Sequence, residues 1–244
     1  MSQIAENLES VLNKIRAVEK RAFRDENSVK LVAVSKFHPA ESVIEALEAG
    51  QLLFGENRVQ EAAAKFDEIR ARGLEPNLHI IGSLQRNKVK EAVRIASCIE
   101  SADRIELIEE IEKQAAKINK NIEILFEVHT GEDSKAGFTS VEDLENAIKL
   151  CAGQKFPHVT PRGFMTMAPF TEDKGLIRKS FVTLRNLRDS FQKNYPSLDL
   201  SELSMGMSGD FEVAIEEGAT IVRIGTAIFG SRTYSKTLIQ KTLA

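Results

Sequence analysis

The amino-acid sequence predicts an α/β protein, a (β/α)8 TIM barrel preceded by one extra amino-terminal helix, and two observations carry that expectation. Eight apolar runs of strand length alternate with helical stretches from near the start of the chain to its end. The 244 residues also match the ~250 that one such barrel occupies. Residues 1–244 are therefore expected to form a single domain, and an open doubly wound sheet would suit fewer strands.

The elements follow in order. An opening amphipathic helix repeats Ile4, Leu8, Val11, Leu12, Ile15 and Val18 at helical spacing. Strands are then expected at 31–35, 52–54, 78–81, 97–100, 122–128, 159–164, 199–204 and 221–224. Each leads into a helical stretch, at 39–49, 58–70, 86–96, 104–120, 141–152, 174–194, 210–216 and 226–229. In the stretch at 104–120, Ile105, Ile108, Ile111 and Ala115 share one side, the pattern of an outer barrel helix with a solvated face.

Composition excludes several roles. With 33 basic and 36 acidic residues the net charge is -3, so nothing in bulk attracts nucleic acid or an anionic membrane. The start, MSQIAENLES, lacks the apolar core of a signal peptide, and no run of ~18 apolar residues occurs; a cytoplasmic protein is expected. Cys98 and Cys151 have neither CxxC nor metal spacing and read as buried thiols. No His, Asp and Glu trio has ligand spacing, so no metal is expected.

In such a barrel the chemistry belongs where strands end and loops begin, on the carboxyl face. Within LVAVSK, alternation puts Val32, Val34 and Lys36 on one side, which aims Lys36 at the barrel mouth. An amine there is paired, solvated at the rim, or held neutral as a nucleophile. The last two strands run into SMGMSGD (204–210) and GTA (225–227). Their small residues let backbone N–H groups approach a phosphate, and the hydroxyls of Ser208 and Thr226 can add bonds. Alternatively Gly206, Gly209 and Gly225 only shape turns. In IVRIG, Val222 and Ile224 face the helices and Arg223 points inward, where it needs either a ligand or a barrel glutamate as partner.

Seven segments in order, LVAVSK (31–36), FGENRVQE (54–61), HIIGSLQRNK (79–88), GEDSKAGF (131–138), GFMTMAPF (163–170), LSMGMSGDF (203–211) and VRIGTAIFG (222–230), resemble the pyridoxal-phosphate homeostasis protein family. That family is similar to the barrel domain of alanine racemase, of fold type III. The resemblance implies pyridoxal 5'-phosphate (PLP) held as a Schiff base on Lys36, with Arg223 facing the pyridine nitrogen. It implies phosphate contacts from Ser208, Gly225 and Thr226, supported by Met207 and Gly206, and places Asn57 and His79 near the ring. Arg58, Ser83 and Leu78 depart from the family's usual residues and bear on ring packing and partner surface.

A guanidinium has no proton to spare for a ring nitrogen, so the ring is a weaker electron sink. A racemase also needs a second acid/base. The only tyrosines, Tyr195 and Tyr234, sit in the last long helix and near the carboxyl terminus. The expected role is therefore a monomeric carrier or buffer that passes PLP to apo-enzymes, with no certain catalytic residue beyond Lys36. The alternatives are a single-domain amino-acid racemase, using Lys36 with His79 or His129, and a phosphate-ligand barrel without cofactor. His38 and His158 read as surface or capping residues, Glu132 and Asp133 as loop residues. Met165, Met167, Met205 and Met207 could fill either a pocket wall or core.

Overall fold

A computed structural model describes residues 2–131 and 137–230. Helix α1 (Gln3–Arg21) starts at Ser2, whose side chain accepts from the Ala5 N–H, and buries Leu8, Val11, Ile15 and Val18 on one stripe. Then come β1 (Lys30–Val34) and α2 (Ala40–Glu48), β2 (Leu53–Glu56) and α3 (Val59–Ala71), and β3 (Asn77–Ile80) with α4 (Val89–Ile95). These are followed by β4 (Cys98–Ala102) and α5 (Ile105–Lys117), β5 (Ile122–Glu127) and α6 (Val141–Ala152), and β6 (Val159–Met165) with α7 (Lys174–Asn194). The series closes with β7 (Glu202–Ser204) and α8 (Phe211–Glu216), then β8 (Ile221–Ile224) and α9 (Thr226–Phe229).

The eight strands form a closed parallel barrel in chain order, β1 to β8, as the alternation predicts. Closure joins the first strand to the last, with Val32 in register with Arg223. Closure also removes both sheet edges, and each face of the sheet is covered. Val32, Val34, Cys98, Leu125, Met165 and Ile221 fill the interior. A larger shell between sheet and helices includes the fully buried Phe54, Phe66, Phe126, Phe164 and Phe181, each worth ~1.5–3 kcal/mol on transfer from water.

Element bounds differ from expectation where polarity misleads. β2 runs on through Gly55 and Glu56, which pair with His79 and Ile80 although they end the apolar run. β7 begins three residues late, because only Glu202–Ser204 reaches its neighbours. The stretch at 86–96 divides into a 3₁₀ turn, Arg86–Lys88, and α4. Between β6 and β7, Gly163 has φ +147°, and a Cβ there would lie 1.9 Å from the Glu202 carbonyl oxygen. Only glycine lets these strands approach so closely. Among the described residues, no helix is long and apolar enough to cross a membrane.

Candidate functional site at the carboxyl mouth of the barrel

A cavity of about 600 Å³ opens at the carboxyl end, within the range of small-molecule sites. Its wall includes Lys36, Asn57, Met207, Ser208, Arg223, Gly225 and Thr226, so seven residues expected from the sequence, on four strand ends, meet in one place. Met167 and Met207 line it, while Met165 and Met205 are core. His38, expected at the surface, is a correction: it lies in the cavity wall with its ring 5.2 Å from that of Phe229. Phe37 and Phe170 add exposed apolar rim, and Arg58 stands 5.6 Å over the Phe37 ring.

Lys36 is half-buried on the turn that follows β1. Phe37 beside it has φ +68°, a left-handed conformation that bulky residues adopt only when their surroundings impose it. The constraint is visible at Ser35, two residues earlier. The Ser35 carbonyl accepts from Lys65 Nζ at 2.8 Å and from the His38 N–H at 3.1 Å, and the Ser35 hydroxyl donates to Glu56 Oε1 at 2.7 Å. Lys65 also bonds Glu56 at 2.7 Å, and both partners are nearly inaccessible to solvent. This buried ion pair behind the strand fixes the backbone that carries Lys36.

Across the mouth, the turn after β7 and the loop after β8 bring Ser208, Gly209 and Thr226, with their backbone N–H groups, to the cavity wall. None of these donates a hydrogen bond within the described residues. Asp210 shapes the turn by accepting from the Met207 N–H at 2.5 Å. At Gly225 a Cβ would come within 2.9 Å of the Val34 carbonyl oxygen, so a bare backbone is required where β8 passes β1. Three N–H donors and two hydroxyls opposite a primary amine form a donor set that fits a phosphorylated aldehyde such as PLP.

Arg223 does face inward: it lines the cavity, and its Nη1 lies 3.9 Å from Glu100, the barrel glutamate that its position calls for. Its Nη2 donates to the Thr166 carbonyl at 2.8 Å and its Nη1 to Ser204 Oγ at 2.6 Å. Burial lowers its pKa, opposed by Glu100, Glu127 and Asp210. His79 departs from the expectation. It is absent from the cavity wall and instead lines a charged cleft of about 740 Å³ at the amino-terminal end, with Nδ1 2.6 Å from Glu100 Oε1.

Sequence reading missed Glu100 and Glu127. Each is a buried charge within a strand, Glu100 in CIESA and Glu127 at the end of IEILFE, and that is the available signal. Tyr195 donates to Glu145 at 2.8 Å in the helical layer, and His158 pairs with Glu112 at 2.8 Å. Both cysteines are buried with raised thiol pKa values, that of Cys151 pushed up to about 12 by burial. Leu78 is core and Ser83 is exposed, away from the cavity wall. Among the described residues no cluster of His, Cys, Asp or Glu could hold a metal ion. Glu132, Asp133, Lys135 and Tyr234 lie outside the described residues.

Known proteins share this chain's sequence and architecture. Residues 7–233 match the family described as alanine racemase, N-terminal domain. A pyridoxal phosphate homeostasis protein of Aquifex aeolicus is 43% identical over 229 residues, covering 94% of this chain and 98% of that one. One from Escherichia coli (strain K12) is 37% identical, covering 97% and 100%. The solved structure of PipY from Synechococcus elongatus with PLP bound superposes with TM-score 0.81 at 36% identity, covering 93% of this chain and 100% of that one. An alanine racemase of Clostridium difficile, at TM-score 0.72 and 17% identity, shares the fold; the match covers 95% of this chain and 58% of that one.

Proposed function

This chain belongs to the pyridoxal phosphate homeostasis proteins, which are built on the alanine racemase N-terminal domain, and on that premise we propose that it binds PLP at Lys36 and acts in intracellular PLP homeostasis. One observation carries the assignment of residues: a half-buried lysine, an inward arginine and a cluster of uncommitted N–H donors line the same cavity. When bound, PLP supplies a reactive aldehyde and an electron-withdrawing ring. The remaining work falls to the chain.

Lys36 offers its amine from a turn that the Lys65–Glu56 pair immobilises. Ser208, Gly225 and Thr226 bind the phosphate, with Met207 and Asn57 forming wall. Arg223 stays protonated and gives the ring nitrogen no proton. Phe37 and Phe170 border the mouth with exposed apolar surface. Such a site holds its cargo and adds little carbanion stabilisation, which favours a carrier that delivers PLP to apo-enzymes as a monomer of one barrel domain. The engagement of Tyr195 with Glu145 in the helical layer supports the carrier over a racemase that would use its phenol.

The test begins with purified protein and PLP. Borohydride reduction followed by peptide mass spectrometry places the cofactor on Lys36, and Lys36→Ala abolishes the label and the yellow colour. Transfer to an apo-aminotransferase is then followed with a trap for free PLP. Attachment at another lysine would refute the site, and α-proton exchange of amino acids well above that of free PLP would refute the carrier role.

A further inference from the structure

A column of four side chains, each from a different strand, crosses the barrel interior from one end to the other. His79 on β3 lines the amino-terminal cleft and places Nδ1 2.6 Å from Glu100 Oε1 on β4. The Ser204 hydroxyl on β7 donates to Glu100 Oε2 at 2.6 Å, and Arg223 on β8 donates to Ser204 Oγ at 2.6 Å. Arg223 in turn lines the cofactor cavity. Glu100 and Ser204 are wholly buried, in a barrel interior otherwise packed with Val32, Leu125 and Met165.

The direction of every bond is fixed from the guanidinium downward. Arginine only donates, so Ser204 Oγ accepts and its single proton goes to Glu100. An ionised Glu100 accepts on both oxygens, which requires the hydrogen of His79 to be on Nδ1. Burial pushes the Glu100 carboxyl up, yet the bond and charge of His79, the charge of Arg223 and the Ser204 hydroxyl together hold it below the usual value. Removing His79 would leave a buried carboxylate short of one donor, and the guanidinium, 3.9 Å from Glu100, is a group that could turn to replace it.

We propose that His79 is a positioning residue: through Glu100 and Ser204 it holds the Arg223 guanidinium in place against the cofactor cavity, from the far end of the barrel. The inference rests on the assignment of PLP to that cavity.

Three variants test it. His79→Leu removes the donor, His79→Asn keeps one near the position of Nδ1, and Ser204→Ala cuts the column closer to Arg223. Each is loaded with PLP, and two quantities are measured: the pH midpoint of the visible absorbance change and the rate of PLP release to a trap. His79→Leu and Ser204→Ala are expected to shift the midpoint and speed release about threefold or more, while His79→Asn restores wild-type values. In an Arg223→Gln background the same changes should have no further effect, as a coupled series requires.

Wild-type midpoint and release rate in both His79→Leu and Ser204→Ala, even with lower melting temperatures, would reduce the column to packing and overturn the proposal. Equal effects in the Arg223→Gln background would do the same. If His79→Leu does not fold, Ser204→Ala decides alone. Failure of wild-type protein to take up PLP would refute the cofactor assignment itself, a result distinct from the others.

Discussion

Replacing Glu127 by glutamine should flatten the pH dependence of stability between pH 5 and 8.5. Glu127 closes β5 inside the barrel, is 2% exposed, and its Oε2 has no hydrogen-bond partner among the described residues. Burial, reinforced by Asp103 and Glu100 and opposed by Arg223, pushes its carboxyl from 4.5 up to about 7. Below the lower value both folded and unfolded chains hold the proton, and its stabilising contribution is fully present. As pH rises towards the upper value the unfolded chain releases the proton first, so that contribution is lost, and above it the loss is complete. At about 1.4 kcal/mol per pH unit the window amounts to roughly 3 kcal/mol, an upper bound if water reaches the site. For a chain of this size that is roughly 6–10 °C in melting temperature.

The assay is denaturant unfolding of apo wild type and Glu127→Gln at about pH 5 and about pH 8.5. Glutamine keeps the shape and never ionises, so the variant should gain about 2–3 kcal/mol on wild type between the two conditions. The difference of differences cancels the titration of other groups. Identical pH profiles for the two proteins would refute the reasoning and place the Glu127 carboxyl in contact with water.

Other outcomes are equally definite. Lys65→Met leaves Glu56 buried without its cation and should cost roughly 3–5 kcal/mol, read by chemical denaturation, with Glu56→Gln in the same chain recovering part of the loss. Gly225→Ala forces a Cβ to within 2.9 Å of the Val34 oxygen; absorbance titration should show PLP binding weakened about tenfold, near 1.4 kcal/mol. Gly163→Ala drives a Cβ onto the Glu202 carbonyl and should cost about 3 kcal/mol or more, seen as a lowered melting temperature or insoluble protein. Sedimentation velocity should show a monomer with and without PLP.

Periodicity made the barrel legible because alternation in a parallel strand is set by local geometry. The inward orientation of Lys36 and Arg223 follows from counting by two in LVAVSK and IVRIG, and the paired register of Val32 with Arg223 agrees. Pairing between distant strands was not legible, and the omissions follow from that. Glu100 in CIESA draws no notice until the closed barrel sets it opposite Ser204 and Arg223. His79 was assigned to the neighbourhood of the ring by its motif, whereas its height along the barrel places it at the other opening. The end of β2 and the start of β7 escape the sequence because partner strands, not hydropathy, decide where a ladder begins and stops.

Because β1 and β8 are neighbours, the amine and the guanidinium come from opposite extremes of the chain. A nascent polypeptide still tethered to the ribosome therefore has no complete pocket until β8 has emerged and zipped onto β1. If PLP is held between Lys36 and Arg223 as proposed, its uptake waits for β8 and reports closure of the barrel. Translation products truncated ahead of Ile221 should remain colourless however much of the sheet they form.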